Sequence, residues 1–428
     1  MVNLQSLCHS KARVRFLDVG CGLGFAVSMA RFLGWDAIGV EPGPIGQVGR
    51  ELLGIEVASA YLEDTGFPDA SFDIILSSEV IEHVPQPENF LRLLRKYIKP
   101  DGILCLTTPN AAAYSRESDG VKLEIISPGA HVSILSPGAM RQLLRQVGFR
   151  DYTVRFSEGT TGKSRMVVFA SPQKSGARML KYVKTVDPEC TEFQRRYLNY
   201  VVDSRRDGCR DCLYDGMLYR LVENYTNSGK LEHAGELCQR LDQSVREKYG
   251  EFDSEFISNL LAKVRSGRIQ SYTKYIAGIP SFLSRYLYYK GMICLNHTKD
   301  FSAAEDYFKN AYDLFLCERD IFRFYANWDM ACQARYHLAL AKLYAGEQKE
   351  ALAVLGQMLS DRKSIPKKLL PYLHYSCGVA HLQVGDNVAA LRSFICTFWG
   401  WCRLAFVKQV AKLVLLALRQ EFRALMAR

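Results

Sequence analysis

The sequence has no block of like charge, no cysteine framework and no long uncharged apolar run. Its net charge is +10, but Lys and Arg are spread along all 428 residues. That excess suits an acidic substrate or an anionic membrane surface as well as a nucleic acid, and a solvated surface explains it equally. Among the 13 cysteines the only close pair is Cys209 and Cys212, with no second pair at zinc-ribbon distance. Free cysteines of this kind suit a reducing compartment. No signal-peptide pattern opens the sequence, and no run of ~18 uncharged apolar residues appears. A cytoplasmic protein is the expectation. The length requires more than one hydrophobic core, and 48% hydrophobic with 23% charged residues is a globular composition.

Two halves differ in pattern. Up to about Pro172, short β-branched runs alternate with helical stretches. Val14–Val19, Ala37–Val40, Phe72–Leu76, Ile103–Thr107 and Arg165–Phe169 read as strands. Gly22–Leu33, Ile45–Leu53, Pro87–Ile98 and Pro137–Val147 read as helices. This alternation predicts right-handed βαβ units and a mainly parallel sheet, an α/β domain over residues 1–172. The polar stretch 171–176 is the expected boundary.

Residues 173–393 carry no strand signal. Four segments there repeat one spacing: Gly229/Ala234/Cys238, Lys299/Ala304/Phe308, Gly346/Ala351/Leu355 and Gly385/Ala390/Phe394. The first residue ends a helix, the alanine admits close approach of the next, and the larger apolar residue fills the layer. This pattern resembles the tetratricopeptide repeat, with its best copy at Leu338, Ala339, Gly346 and Ala351. The all-α second domain is expected to be a TPR-like array or an irregular helical bundle, and such arrays offer surfaces for a protein partner. Residues 394–428 form a candidate basic amphipathic helix. Lys408, Lys412, Arg419 and Arg423 fall within about 60° of one another on a helix, opposite Phe406, Val410, Leu413, Leu418 and Leu425. Such a helix either lies on an anionic membrane surface, which would make the protein peripheral on the inner face, or caps the array.

The chemistry concentrates between Asp18 and His131. In Asp18-Val19-Gly20-Cys21-Gly22-Leu23-Gly24 a strand runs through a glycine turn into a helix. Gly20 and Gly22 let a ligand approach the backbone, and Gly24 permits close helix–strand packing. Dinucleotide sites space their glycines G-x-G-x-x-G, whereas these alternate. The segment resembles motif I of the class I S-adenosylmethionine-dependent methyltransferases, D-[VI]-G-C-G-x-G. Gly39-Val40-Glu41-Pro42, Leu62-Glu63-Asp64, Ser77-Ser78-Glu79-Val80-Ile81-Glu82-His83 and Lys99-Pro100-Asp101-Gly102 match further motifs in order, so the resemblance covers about residues 14–170.

The resemblance implies a Rossmann-like seven-stranded, mainly parallel sheet and S-adenosylmethionine as cofactor. It places Asp18, Gly20, Cys21, Gly22, Gly24, Glu41, Pro42, Leu62, Glu63, Ser77 and Glu79 around that cofactor, with Glu41 on the ribose hydroxyls. Family members usually carry a helical lid before motif I, and only about a dozen residues precede the first strand here.

For transfer to a hydroxyl, His83 and His131 are the candidate bases. Glu79, Glu82 and His83 have the spacing E-x-x-E-H, which on a turn would bring three side chains together. With His131 they could hold a divalent metal such as magnesium, which would lower the pKa of a substrate hydroxyl. The same arrangement resembles the ubiquinone-pathway O-methyltransferases and the small-RNA 3′-terminal 2′-O-methyltransferases. Without a metal, the two acids shape the adenine pocket and His83 acts as a plain base. Asn110, Tyr114 and Arg116 are candidate substrate contacts, and Lys122 shares the loop.

Three functions follow as expectations. The first is O-methylation of a sugar hydroxyl on a cell-envelope polysaccharide or another lipid-linked or small-molecule acceptor. The second is RNA 2′-O-methylation, disfavoured because no Arg/Lys cluster lies near His131. The third is a non-catalytic scaffold acting through its repeats, against which the intact Asp18, Gly20, Gly22, Glu41 and His83 argue.

Overall fold

The computed structural model describes residues 13–114, 129–156, 164–173, 188–205, 211–322, 327–361, 364–400 and 414. It divides the chain into two compact units, 1–200 and 201–428. Arg116, Lys122, the Cys209 side of the cysteine pair and nearly all of the basic tail lie outside the described residues.

The first unit is a seven-stranded sheet in the order β3-β2-β1-β4-β5-β7-β6. The parallel strands are β1 (Arg15–Val19), β2 (Asp36–Val40), β3 (Val57–Ala58), β4 (Phe72–Ser78) and β5 (Ile98–Pro109). Strands β6 (Asp151–Phe156) and β7 (Arg165–Ser171) form an antiparallel hairpin added at β5. Of these seven, β3 and β6 were not expected from the sequence, although β6 carries a polar–apolar alternation. β3 is only two residues long, and the apolar side of β6, Tyr152, Val154 and Phe156, packs against the core. The Lys99–Gly102 segment, which lies ahead of the strand read at Ile103–Thr107, is part of β5 itself, where the register with β4 shifts. Asp73 fixes that irregular end by accepting from Lys99 Nζ (2.8 Å) and the Arg15 amide (2.9 Å).

Helices α1 (Phe25–Phe32), α2 (Ile45–Leu53), α3 (Pro87–Tyr97) and α4 (Pro137–Val147) connect the strands. Their ends follow from the sequence. Pro87 and Pro137 stand at first-turn positions, and Ser136 Oγ accepts from the Ala139 amide. Gly54 and Gly148 close α2 and α4 in the left-handed conformation. Alternate residues of the central strands feed two cores. Leu17, Ile75, Leu104 and Val168 pack with Leu91, Leu94, Met140 and Leu144. Phe16, Ile74, Ile103 and Val167 pack with Val27 and Ala30 on the other face. Burial on both faces is what parallel strands under helices on both sides require.

The first unit runs past the polar stretch where a boundary was expected. Helix α5 (Pro188–Asp203) contributes Phe193, Tyr197 and Tyr200, whose rings surround Phe32 at centroid distances of 5.1–6.0 Å. Arg196 stacks its guanidinium on the same ring.

Every described element of the second unit is helical: α6 (Cys212–Asn227), α7 (Leu231–Tyr249), α8 (Ser254–Arg265), α9 (Tyr272–Ile276), α10 (Leu283–Ile293), α11 (Phe301–Asp320), α12 (Trp328–Ala345), α13 (Gln348–Ser360), α14 (Leu370–Gln383) and α15 (Asn387–Gly400). The four repeated spacings fall on four interhelical turns. Gly229, Lys299, Gly346 and Gly385 all have φ between 59° and 88°. The alanine five residues later is fully buried in each case. In the Gly385 hairpin, Gly378 on the earlier helix lies directly under the Phe394 ring, and Gly291 lies likewise under Phe308.

Gly378 precedes its turn by seven residues but Gly291 precedes Lys299 by eight. A π-helical turn at Cys294–Thr298 accommodates the extra residue. Val414 packs against the Ala390–Phe394 cluster. No helix among the described residues is long and apolar enough to cross a membrane.

Candidate functional site

The loop after β1 is held by a carboxylate and shaped by three left-handed glycines. Gly20, Gly22 and Gly24 have φ of 69°, 54° and 76°. A side chain at Gly20 would strike Val80, and one at Gly24 would strike Ile55, whereas a Cβ on Gly22 would meet nothing within 4 Å. Protein packing therefore demands the outer two, and the middle one borders open space. Glu41, at the end of β2, braces the turn. Its Oε2 accepts from the Gly22 amide (3.0 Å) and its Oε1 from the Gly43 amide (2.8 Å).

Asp18 lies just beneath, almost fully buried. Burial and the neighbouring Glu41 push its carboxyl up to about 7. Burial, Asp18 and Glu41 likewise push the Cys21 thiol up to about 12, so it is an inert wall rather than a nucleophile.

A cleft of about 870 Å³ opens at the carboxyl ends of these strands, where open α/β sheets bind ligands. Of the eleven expected cofactor residues, Gly20, Glu41, Pro42, Leu62, Glu63 and Glu79 line it. Leu62–Asp64 is a 3₁₀ turn with Leu62 in the core. Ser77 is fully buried, with its hydroxyl unpartnered, inside β4. Tyr61 and Phe90 also line the cleft. Sequence reading missed both; an aromatic beside the Leu62–Asp64 motif was the available signal for Tyr61.

The E-x-x-E-H segment does not gather its two acids. Glu79 sits in the left-handed region (φ 58°), uncommon for a side-chain-bearing residue, so the chain turns there instead of starting a helix. Adjacent residues of β5 then hold the two carboxylates separately. Thr107 Oγ1 donates to Glu79 Oε1 (2.8 Å), while Thr108 Oγ1 donates to Glu82 Oε2 (3.0 Å). Successive strand side chains point to opposite faces, so this pairing puts Glu79 and Glu82 on opposite sides. Glu79 Oε1 is also 3.1 Å from Arg165 Nε.

Glu82 instead joins the histidines. Ligand atoms of Glu82, His83 and His131 lie within 4.8 Å of one another. The Glu82 backbone carbonyl accepts from the Val132 and Ser133 amides, which fastens the His131 segment in place. His83 and His131 meet edge to face at 4.7 Å. His83 Nδ1 lies 2.9 Å from the Ala130 carbonyl. A carbonyl only accepts, so Nδ1 carries the proton and Nε2 keeps its lone pair. Glu82 is fully buried, and burial raises its pKa. Its Oε1, 4.0 Å from His131 Nε2, has no hydrogen-bond partner, nor has His131 Nδ1. Two orphaned buried polar atoms in one cluster are costly unless something else bonds them.

Residues 4–154 match the family model described as "Methyltransferase domain". This part of the chain is similar in sequence to methyltransferase domains. The chain is 32% identical over 103 residues to the ubiquinone biosynthesis O-methyltransferase of Cereibacter sphaeroides, covering 23% of this chain and 42% of that protein. It is 28% identical over 137 residues to a probable S-adenosylmethionine-dependent methyltransferase of Mycobacterium tuberculosis, covering 32% and 48%. It thus spans less than half the length of these curated relatives. A solved S-adenosylmethionine-dependent methyltransferase from Archaeoglobus fulgidus aligns over 40% of this chain and 92% of its own, at 19% identity and TM-score 0.33.

The expected acceptor contacts fare differently within this unit. Asn110 is 3% exposed, and its Oδ1 accepts from the Ala112 amide, capping the Ala111–Ala113 turn. It is a structural cap instead of the open cleft group its strand-end position suggested. Tyr114 donates its hydroxyl to the Ser164 carbonyl (3.3 Å). Burial and Glu79 raise its pKa, and Arg165 opposes them, so both charges lie near its ring. Arg165 was not among the expected site residues; only its strand was read from the sequence.

Proposed function

We propose that the chain is an S-adenosylmethionine-dependent O-methyltransferase in which His83 removes the acceptor's proton. The supporting observation is the shared cleft: Gly20 and Glu41 border one part of it and His83 another. S-adenosylmethionine, when bound, supplies an electrophilic methyl group on a sulfonium. The cleft fits it: a Cβ-free loop, a carboxylate with spare lone pairs for two hydroxyls, and apolar Leu62, Phe90 and Leu93 for a base. Glu41 and the glycine loop orient the donor. His83 Nε2 accepts the hydroxyl proton, and the Ala130 carbonyl stabilises the imidazolium through Nδ1–H.

A divalent cation at Glu82, His83 and His131 is a second reading, favoured by the orphaned Glu82 Oε1. Three ligands would hold it, with Glu79 committed elsewhere, and it would polarise the acceptor oxygen. Loss of turnover on chelation, restored by added metal, supports this reading; unchanged turnover removes it.

For the acceptor we retain a sugar hydroxyl of a cell-envelope or lipid-linked molecule over RNA, on the scattered basic charge. The helical unit we read as a TPR-like array that presents a partner surface, on the repeated turn–alanine–apolar spacing. Val414 against the last hairpin favours a capping tail over a membrane anchor. Labelled-methyl transfer into separated polysaccharide, lipid and RNA fractions tests the acceptor; label confined to RNA would reject the sugar reading.

A further inference from the structure

We propose that Arg165 recognises a carboxylate or phosphate group on the methyl acceptor, which makes this a methyltransferase for acidic acceptors. The inference rests on the function proposed above and adds the chemical class of the substrate.

Arg165 opens β7 and pairs in register with Pro109, the last residue of β5. This puts it at the edge of the sheet where the cleft opens. Its side chain is half exposed, and it reaches the carboxylate of Glu79, a cleft-lining residue. An arginine bracing a carboxylate frequently presents two parallel N–H groups to its two oxygens. Here the nearest approach is Nε to Oε1, at 3.1 Å. That oxygen is already held by Thr107 Oγ1, so the brace does not depend on arginine.

Neither terminal amino group of Arg165 donates a hydrogen bond among the described residues. The two form a planar fork of four N–H bonds matched to a carboxylate or phosphate. Glu79 fixes the direction of the side chain. Glu79, which the fork meets, lines the same cleft as His83, so an anion held there keeps the acceptor's hydroxyl on the side of the proposed base.

The test is arginine labelling by phenylglyoxal, followed by peptide mass spectrometry of the full chain with S-adenosylhomocysteine present. Glucuronate, inorganic phosphate and glucose are the probes. Arg165 labelling should slow roughly fivefold or more with glucuronate or phosphate, and the stronger of the two identifies the anion. Glucose should have no effect, nor should any probe protect Arg92, a half-exposed arginine paired with Glu88. Equal Arg165 labelling under all conditions overturns the proposal.

Retention of labelled S-adenosylmethionine by the same preparation reports on the enzyme reading separately, since its failure would not alter the anion protection. In turnover, Arg165→Gln should raise KM for acidic acceptors about tenfold or more with kcat nearly unchanged, and Arg165→Lys should recover part of it. A fall in kcat at constant KM would make Arg165 a positioning residue for Glu79 and overturn anion recognition.

Discussion

Removing the Glu41 carboxylate separates its two roles, brace and ligand. In the free protein it accepts from the Gly22 and Gly43 amides at 3.0 and 2.8 Å. Glu41→Ala leaves both half-buried donors to water, at a cost of about 1–2 kcal/mol in stability. If the same oxygens also receive two ribose hydroxyls, the variant loses two charge-assisted hydrogen bonds as well. Each is worth roughly 1.5–3 kcal/mol, and partial rehydration recovers some of it. A net loss of about 2–4 kcal/mol raises the Kd for S-adenosylmethionine by roughly 30- to 1000-fold. Glu41→Gln keeps one acceptor but points an amide N–H at a backbone N–H, so an intermediate loss of about tenfold is expected. Equilibrium dialysis with labelled cofactor reads the affinity, and thermal unfolding reads the stability. A Kd within threefold of wild type alongside the expected destabilisation would refute the ribose role and leave Glu41 a structural brace.

Further substitutions test the catalytic base, the hairpin packing and a buried acid. His83→Gln should lower turnover by about 10²–10⁴ while cofactor Kd stays within about threefold; parallel kinetics and dialysis check this, and unaltered turnover excludes His83 as base. In the helical unit, Gly378→Ala drives a methyl into the Phe394 ring and should cost about 1–3 kcal/mol. Phe394→Leu in that background should restore part of the loss in the melting transition. Glu318 accepts from Asn327 Nδ2 (2.6 Å) and Ser284 Oγ (3.2 Å), and burial pushes it from 4.5 to about 7. The folded protein therefore holds a proton through that window that the unfolded chain has released. Stability should fall by about 3 kcal/mol as pH rises from 4.5 to above 7. Glu318→Gln should flatten this slope in pH-dependent unfolding of the helical unit, and an unchanged slope would refute the assignment.

What the sequence revealed follows from how local each signal was. The glycine loop, Glu41 and helices α1 to α4 rest on short-range chemistry: left-handed glycines, first-turn prolines, a Ser136 cap. The repeated hairpin spacing was legible for the same reason, since the turn and the buried alanine lie five residues apart. Strand β3 was not, because two residues give no period to read, whereas the polar–apolar alternation of β6 from Asp151 to Phe156 was a readable period-2 signal that went unused. The E-x-x-E-H spacing misled because Glu79 adopts a left-handed conformation that breaks the expected turn. The alternation of Thr107 and Thr108 on a different strand then sends the two acids to different neighbours. Asn110 misled in the opposite way: its strand-end position was right, but the side chain is used to cap the next turn. Arg165 could not be found in advance, since its meeting with Glu79 depends on an antiparallel hairpin packed beside β5.

The central claim is methyl transfer at this cleft. It is tested most directly by incubating the full chain with methyl-labelled S-adenosylmethionine and separated acceptor fractions, and counting label in each. The account predicts stoichiometric release of S-adenosylhomocysteine and label in an acidic, hydroxyl-bearing carbohydrate or lipid-linked fraction, abolished by His83→Gln. Cofactor retained on the protein but no label in any fraction, or label that persists undiminished in the His83 variant, would contradict it.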